Sequence, residues 1–215
     1  MRSRVLFTGF EPFAGDTINP ALEAVKVLNG RSWEDVEFVA EAIPTSFARA
    51  SVALRAAIEK HHPDIVICVG QAGGRAQVTP ERVAINVEDA RIPDNDGNQP
   101  IDKPVVAGGP VAYWSTLPIK RLVQSLLEAG IPASVSNSAG TYVCNHLFYS
   151  LMHELATRYP ETRGGFIHIP FLPEQATHRN APSMSLDVIV KGLERCGLMS
   201  VREQEDVRVS GGSES

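Results

Sequence analysis

The sequence predicts a single-domain α/β/α sandwich with a largely parallel central sheet, and three observations lead there. Apolar strand-like runs alternate with helical patterns from one end of the 215 residues to the other, the order that gives parallel strands covered by helices on both faces. One run, "DIVICVG" at 64–70, is continuously apolar, as expected of a strand buried on both sides. No linker, repeat or low-complexity segment divides the chain. Residues 1–200 are therefore read as one domain, and residues 201–215, ending in the polar "VSGGSES", as a disordered tail.

The elements follow in order. "RVLFTGF" reads as the first strand. Asn19 suits an N-cap and Pro20 the first helical position, so "ALEAVKVLNG" is a helix running to Gly30. "VEFVAEAIP" is strand-like, and "SFARASVALRAAIEKHH" is a long helix stopped by Pro63. After "DIVICVG" comes a predicted strand "ERVAINVEDA" at 81–90, then a Gly-, Pro- and Asp-bearing surface excursion over 91–116. "PIKRLVQSLLEAG" is a helix between Pro118 and Gly130, "IPASVSNSAG" a strand at 131–140, and "VCNHLFYSLMHELATRY" a helix. "GGFIHIP" is a short strand, and "SLDVIVKGLERCG" the last helix, closed by Gly197.

Composition narrows the function. At 43% hydrophobic and 21% charged the chain has the make-up of a folded globular protein. A net charge of −5 without a basic block argues against nucleic acid or an anionic membrane as partner. The start, "MRSRVLFTGFEPFAG", has too short an apolar run for a signal peptide, and no run approaches a membrane span. Three widely spaced cysteines do not form a disulfide framework, so a reducing cytoplasm is the expected compartment.

The cysteines differ in setting. Cys68 lies inside the buried strand "DIVICVGQ" and reads as a core hydrophobe with a raised pKa. Cys196 sits at the predicted C-terminus of the last helix, where the dipole disfavours a thiolate. Cys144 falls at the first turn of a helix that follows a predicted strand. Free N–H groups and the dipole there favour a thiolate and can bind an oxyanion, and α/β proteins keep their sites at that edge of the sheet. Position alone leaves Cys144 either a nucleophile or a buried first-turn cysteine.

A cysteine nucleophile needs a base and an orienting acid. His168, in "GFIHIP", ends the next predicted strand and so lies on the same sheet edge, although a lone histidine in an apolar strand can also be a satisfied core residue. His146 is two residues from Cys144, a spacing that does not share a helix face. His61, His62, His153 and His178 read as surface. Glu81 stands where a loop enters a strand after Pro80; Asp94 and Asp96 compete with it but are explained by turn chemistry in "PDNDG". Metal binding is weakly supported, with no Cys-x-x-Cys or His-Glu-x-x-His. "VGQAGGR" lacks the Gly-x-Gly-x-x-Gly of a dinucleotide loop.

Four segments in this order, "TGFEPF", "ERVAINVEDARIPDNDGNQP", "SNSAGTYVCN" and "GFIHIPFLPEQ", resemble the type I pyroglutamyl peptidases, a family of cytosolic cysteine peptidases, over residues 4 to 196. The resemblance implies a triad of Glu81, Cys144 and His168, a single α/β/α sandwich of phosphorylase/hydrolase-like type, often a homotetramer, and no metal or organic cofactor. It implies peptides with N-terminal pyroglutamate as partners. It also implies a substrate pocket formed by Phe10, Phe13, Gln71, Tyr142 and Val143, with Arg91 and Ile92 further along its lining. Phe10 and Phe13 are expected to clamp the lactam ring. Tyr142 stands where some relatives carry Phe, which implies a slightly more polar pocket floor. Two competing readings stay in view. A nucleoside phosphorylase-like enzyme would need "GQAGGR" as its phosphate turn, and a silent binding protein would keep only the architecture.

Overall fold

The apolar runs pair as a six-stranded sheet in a computed structural model that describes residues 2–212. In chain order the elements are β1 (Ser3–Phe10), α1 (Pro20–Leu28), β2 (Ser32–Trp33), β3 (Val36–Ile43), α2 (Ala50–His61), β4 (Ile65–Gln71) and β5 (Thr79–Pro80). Then follow β6 (Val83–Ile85), β7 (Ala112–Trp114), α3 (Ile119–Glu128), α4 (Val143–Thr157), β8 (Arg163–Ile169), α5 (Pro173–Ala176) and α6 (Leu186–Arg202). The sheet order is β2-β3-β1-β4-β8-β5, parallel from β3 to β8 with antiparallel strands at both edges.

Side-chain alternation along the strands divides the core. Val5, Phe7, Ile65, Ile67, Val69, Ile167 and Ile169 point to one face, where α1, α3 and α6 cover them. Leu6, Phe10, Val66, Cys68 and Phe166 point to the other, under α2 and α4. The central strands are hydrophobic throughout because helices cover both faces. At the start of α1, Asn19 Oδ1 accepts from Ala21 N at 3.0 Å, as an N-cap does.

Three expected elements differ. Of the strand at 81–90 only Val83–Ile85 forms, and it pairs with β7, inside the predicted excursion, as a separate antiparallel ribbon. Beyond it a side chain replaces a neighbouring strand: Asn145 Oδ1 accepts from Ile85 N, and Asn145 Nδ2 donates to the carbonyls of Ile85 and Val87. The strand at 131–140 is reduced to isolated parallel bridges, Val78 with Ala133 and Glu81 with Ser136. Pro80 and Pro132 have no N–H to donate, so the ladder is interrupted. The last helix continues through Gly197 to Arg202. Gly197 is there for contact, not to stop the helix: a Cβ would sit 2.9 Å from Phe7 Cζ and 3.0 Å from Phe38 Cε1.

The expected tail is also corrected over 201–212. Arg163 Nη1 donates to the Glu203 carbonyl, Asp206 accepts from the backbone N–H groups of Lys120 and Arg121, and Arg82 Nη2 donates to the Gly211 carbonyl. Residues 213–215 of the expected tail lie outside the described residues. Among the described residues no helix is long and apolar enough to cross a membrane.

Candidate active site

Sheet register brings distant residues together. Gly70 on β4 and His168 on β8 are partners in the parallel ladder, so their side-chain directions share the face covered by α4. A Cβ on Gly70 would lie 3.0 Å from Cys144 Sγ and 2.7 Å from Phe166 Cζ. The thiol at the second position of α4 therefore rests on a bare stretch of β4, next to the strand that carries His168.

Glu81 and His168 are both buried, and Glu81 Oε1 lies 2.7 Å from His168 Nδ1. Burial alone would push the Glu81 carboxyl up. The hydrogen bond and charge of His168, with Arg75, outweigh it and hold the carboxyl below the ordinary carboxylate range. An ionised carboxylate only accepts, so Nδ1 carries the imidazole proton and Nε2 is left as the basic nitrogen. Burial pulls His168 below the usual imidazole value, more than Glu81 raises it.

The thiolate expected from the helix N-terminus is not the resting state. Burial pushes the Cys144 thiol up to about 12, with the Glu81 charge adding to the rise and Arg75 opposing it. Cys68 and Cys196 are pushed as high by burial, to about 12. What distinguishes Cys144 is access: it is partly exposed, whereas Cys68 and Cys196 are buried. Tyr142 caps α4 without a side-chain hydrogen bond, and the first-turn N–H groups beside Cys144 precede any intrahelical acceptor. The site thus joins a thiol, a basic nitrogen oriented by a carboxylate, and free backbone donors, the parts needed for acyl transfer.

Beside the thiol is a narrow cleft lined by Phe10, Phe13, Asn19, Thr45, Gln71, Tyr142, Val143 and Cys144. Five residues expected in the pocket are present, together with Asn19, read from the sequence only as a cap, and Thr45, which carried no sequence signal. Phe10 and Phe13, expected to clamp the lactam ring, both line the cleft. Phe10 is buried against Phe166, and the ring facing Phe13 is Tyr142, with centroids 6.1 Å apart. A ring held between two others needs about 7 Å, two contact distances of ~3.5 Å. The cleft here has about 10 Å³ of room, on the order of a single water. Tyr142 does not make the floor polar, because its hydroxyl donates to the Pro93 carbonyl at 3.0 Å. Arg91 and Ile92 are exposed and are not among the lining residues. Asp94 folds this loop inward, accepting from Asp96 N, Asn98 N and Phe47 N, the turn role expected of it.

Gln71 is oriented by a chain of fixed donors and acceptors. Gln175 Oε1 accepts from Leu172 N, so Gln175 Nε2 must donate, and it does so to Asp16 Oδ2 and Gln71 Oε1. The Gln71 amide N–H₂ is then the end turned away from Gln175. Arg179 pairs with Asp16 and lies over the Phe171 ring, tying the loop after β1 to the loop after β8. Among the described residues no group of three or more His, Cys, Asp or Glu is placed to hold a metal ion.

Comparison with known proteins gives the family and the fold. A family profile described as pyroglutamyl peptidase matches residues 3–203. The pyrrolidone-carboxylate peptidase of Bacillus licheniformis is 59% identical over 213 residues, covering 99% of each chain. The solved structure of pyroglutamyl peptidase I from Bacillus amyloliquefaciens superposes with a TM-score of 0.96 at 54% identity, covering 98% of this chain and 100% of that one. Pyrrolidone carboxyl peptidase from Thermococcus litoralis superposes with a TM-score of 0.93 at 36% identity, over 97% and 99% of the two chains. The chain belongs to the pyroglutamyl peptidase family.

Proposed function

We propose that this chain is a cysteine exopeptidase that hydrolyses the amide bond after an N-terminal pyroglutamyl residue, with Cys144, His168 and Glu81 as its catalytic residues. The observation that carries the reading is the thiol seated over Gly70, one strand from a histidine whose Nδ1 is held by buried Glu81 at 2.7 Å. Because the resting thiol and imidazole are both neutral, His168 Nε2 takes the Cys144 proton as Sγ attacks the pyroglutamyl carbonyl, and Glu81 stabilises the imidazolium that forms. Backbone N–H groups at the start of α4 and beside Gln71 receive the oxyanion; each such donor contributes on the order of a hundredfold in rate. His168 returns the proton to the leaving amine as the C–N bond breaks. It then deprotonates a water that hydrolyses the thioester, releasing pyroglutamate and restoring the thiol.

The cleft also supports a preference for one ring. Phe13 and Tyr142 offer apolar faces to any five-membered ring once they part, whereas the turned-out Gln71 amide suits a lactam carbonyl. N-terminal proline lacks that carbonyl and carries a charge, so its amides should be cleaved at least about a thousandfold less efficiently. A homotetramer and a cytoplasmic location belong to the same proposal. Exposed Ile101, Val111 and Trp114 on the 91–116 excursion support an association surface, and light scattering at micromolar concentration measures the assembly.

The deciding assay is release of a dye amine from a pyroglutamyl amide, with and without brief iodoacetamide treatment. Turnover lost in step with label on Cys144, ahead of Cys68 and Cys196, is expected. Retained turnover with Cys144 fully alkylated, or equal kcat/KM for prolyl and pyroglutamyl amides, would overturn the assignment.

A further inference from the structure

Arg75 stands at the back of the candidate triad, in the "GQAGGR" turn after β4. Its guanidinium makes three contacts at once. Nη1 donates to Glu81 Oε1 at 2.8 Å and to Thr79 Oγ1 at 2.7 Å, and Nη2 donates to the Ser138 carbonyl at 3.1 Å. The oxygen it shares, Glu81 Oε1, is the one that holds His168, while Glu81 Oε2 is buried without a hydrogen-bond partner. Ser138 belongs to the segment that leads into α4 and Cys144. One fixed cation thus touches both the acid that orients the base and the backbone that delivers the nucleophile.

We propose that Arg75 is a positioning residue for the reaction: it keeps the buried Glu81 carboxylate charged and in place toward His168, and ties that pair to the strand-to-helix segment carrying Cys144. The inference rests on the triad reading above. A carboxylate with no exposed surface and one neutral histidine for a partner would be costly to keep ionised. A guanidinium cannot be deprotonated, so it supplies a permanent counter-charge, and its fork reaches acid, hydroxyl and carbonyl together. The charged and titratable groups facing the Glu81–His168 pair are Arg75 from the turn after β4 and Cys144 from α4; Thr79 and Ser136 contribute only hydroxyls. Arg75 itself is about a third exposed and lines an open groove of about 580 Å³ with Gln77 and Ser134–Ser138. Its far side is therefore in water while its near side meets the buried carboxylate.

Arg75 helps to hold Glu81 low and His168 low. Without its charge both groups take up protons at higher pH, so the acid limb of kcat/KM moves upward. A role limited to loop stability would lower activity or the melting temperature and leave the limb where it is. The experiment is the pH dependence of kcat/KM on a pyroglutamyl dye amide for the full-length wild type, Arg75→Gln and Arg75→Lys. Arg75→Gln should move the acid limb up by about one pH unit and lose at least about tenfold in kcat at neutral pH. Arg75→Lys, which keeps the charge, should leave the limb within about 0.3 pH units of wild type, with kcat lowered by its poorer geometry. An unmoved limb in folded Arg75→Gln overturns the proposal. If that variant does not fold, a limb displaced upward in Arg75→Lys overturns it, because the charge is still present. Wild-type protein inert toward the substrate would instead remove the triad reading itself.

Discussion

Two histidine–glutamate pairs lie close to the Cys144 thiol, and only one of them is placed to act as a base toward it. His168 Nδ1 is 2.7 Å from Glu81 Oε1, and His146 Nδ1 is 2.6 Å from Glu88 Oε1. The histidines are 4% and 6% exposed, so burial does not separate them. What differs is the far side of each ring. His168 points to the face of the sheet where Cys144 Sγ rests over Gly70, and its glutamate also binds Arg75. His146 packs against Phe47 in a T-shaped contact, and its Nε2 is buried without a hydrogen-bond partner. A carboxylate orients an imidazole in both places, but a base also needs a proton donor at the other nitrogen. His146, two residues from Cys144 in sequence, serves instead to join α4 to the loop around Glu88.

The largest expected effect is the direct contrast. His168→Ala should lower kcat by about 10⁴-fold or more, as removal of a triad base does. His146→Ala should keep kcat within about threefold and lose about 1 kcal/mol of stability, because the partly buried Glu88 loses its hydrogen-bond partner. Steady-state kinetics beside thermal melts measure both. A folded His146→Ala with turnover as low as the His168 variant would break the comparison.

Gly70→Ala sharpens it, because it removes neither histidine nor glutamate and acts by crowding the thiol and the Phe166 ring that packs on His168. The added methyl would press on Cys144 Sγ and the Phe166 ring. Displacement of a reacting atom by about 1 Å can lower the rate on the order of a hundredfold, so kcat should fall that far with little change in KM.

The same reasoning about the free end of an oriented group applies to Gln71. Gln175→Leu removes the donor that holds Gln71 Oε1. The amide is then free to turn, and KM for the pyroglutamyl substrate should rise about three- to tenfold with kcat nearly kept, the size of one ordinary hydrogen bond. Unchanged KM would show that Gln175 does not orient the amide that meets substrate.

The smallest effect is on stability against pH. Because burial holds folded His168 below its ordinary value, the unfolded chain takes up that proton first, near pH 6.5, and stability falls as the pH drops from there toward the folded value. Glu81, also held low, adds a loss that begins near pH 4.3. Melting temperatures in wild type should therefore decline below about pH 6.5, and His168→Gln should flatten the first part of that decline. An equal decline in the His168→Gln variant would assign it to other groups.

Short-range physics was legible in the sequence. The Asn19–Pro20 helix start, the doubly buried strand at 65–71 and the turn role of Asp94 each depend on neighbours a few residues away. The resemblance added the candidate triad. The sequence could not show that 131–140 would be bridged instead of paired, that Gly197 sits mid-helix for two phenylalanines, or that Tyr142 and not Phe10 would face Phe13. Spacing from Cys144 sets His146 aside, but the sequence could show neither that Glu88 holds it nor what Arg75 does, which read only as the end of a glycine-rich turn. Caps and hydrophobic periods act within one or two helical turns and can be read from the chain. The 2.7 Å contact between Glu81 and His168 spans 87 residues. It exists because β5 packs beside β8 in the sheet, and strand order is a property of the assembled core that no local stretch encodes.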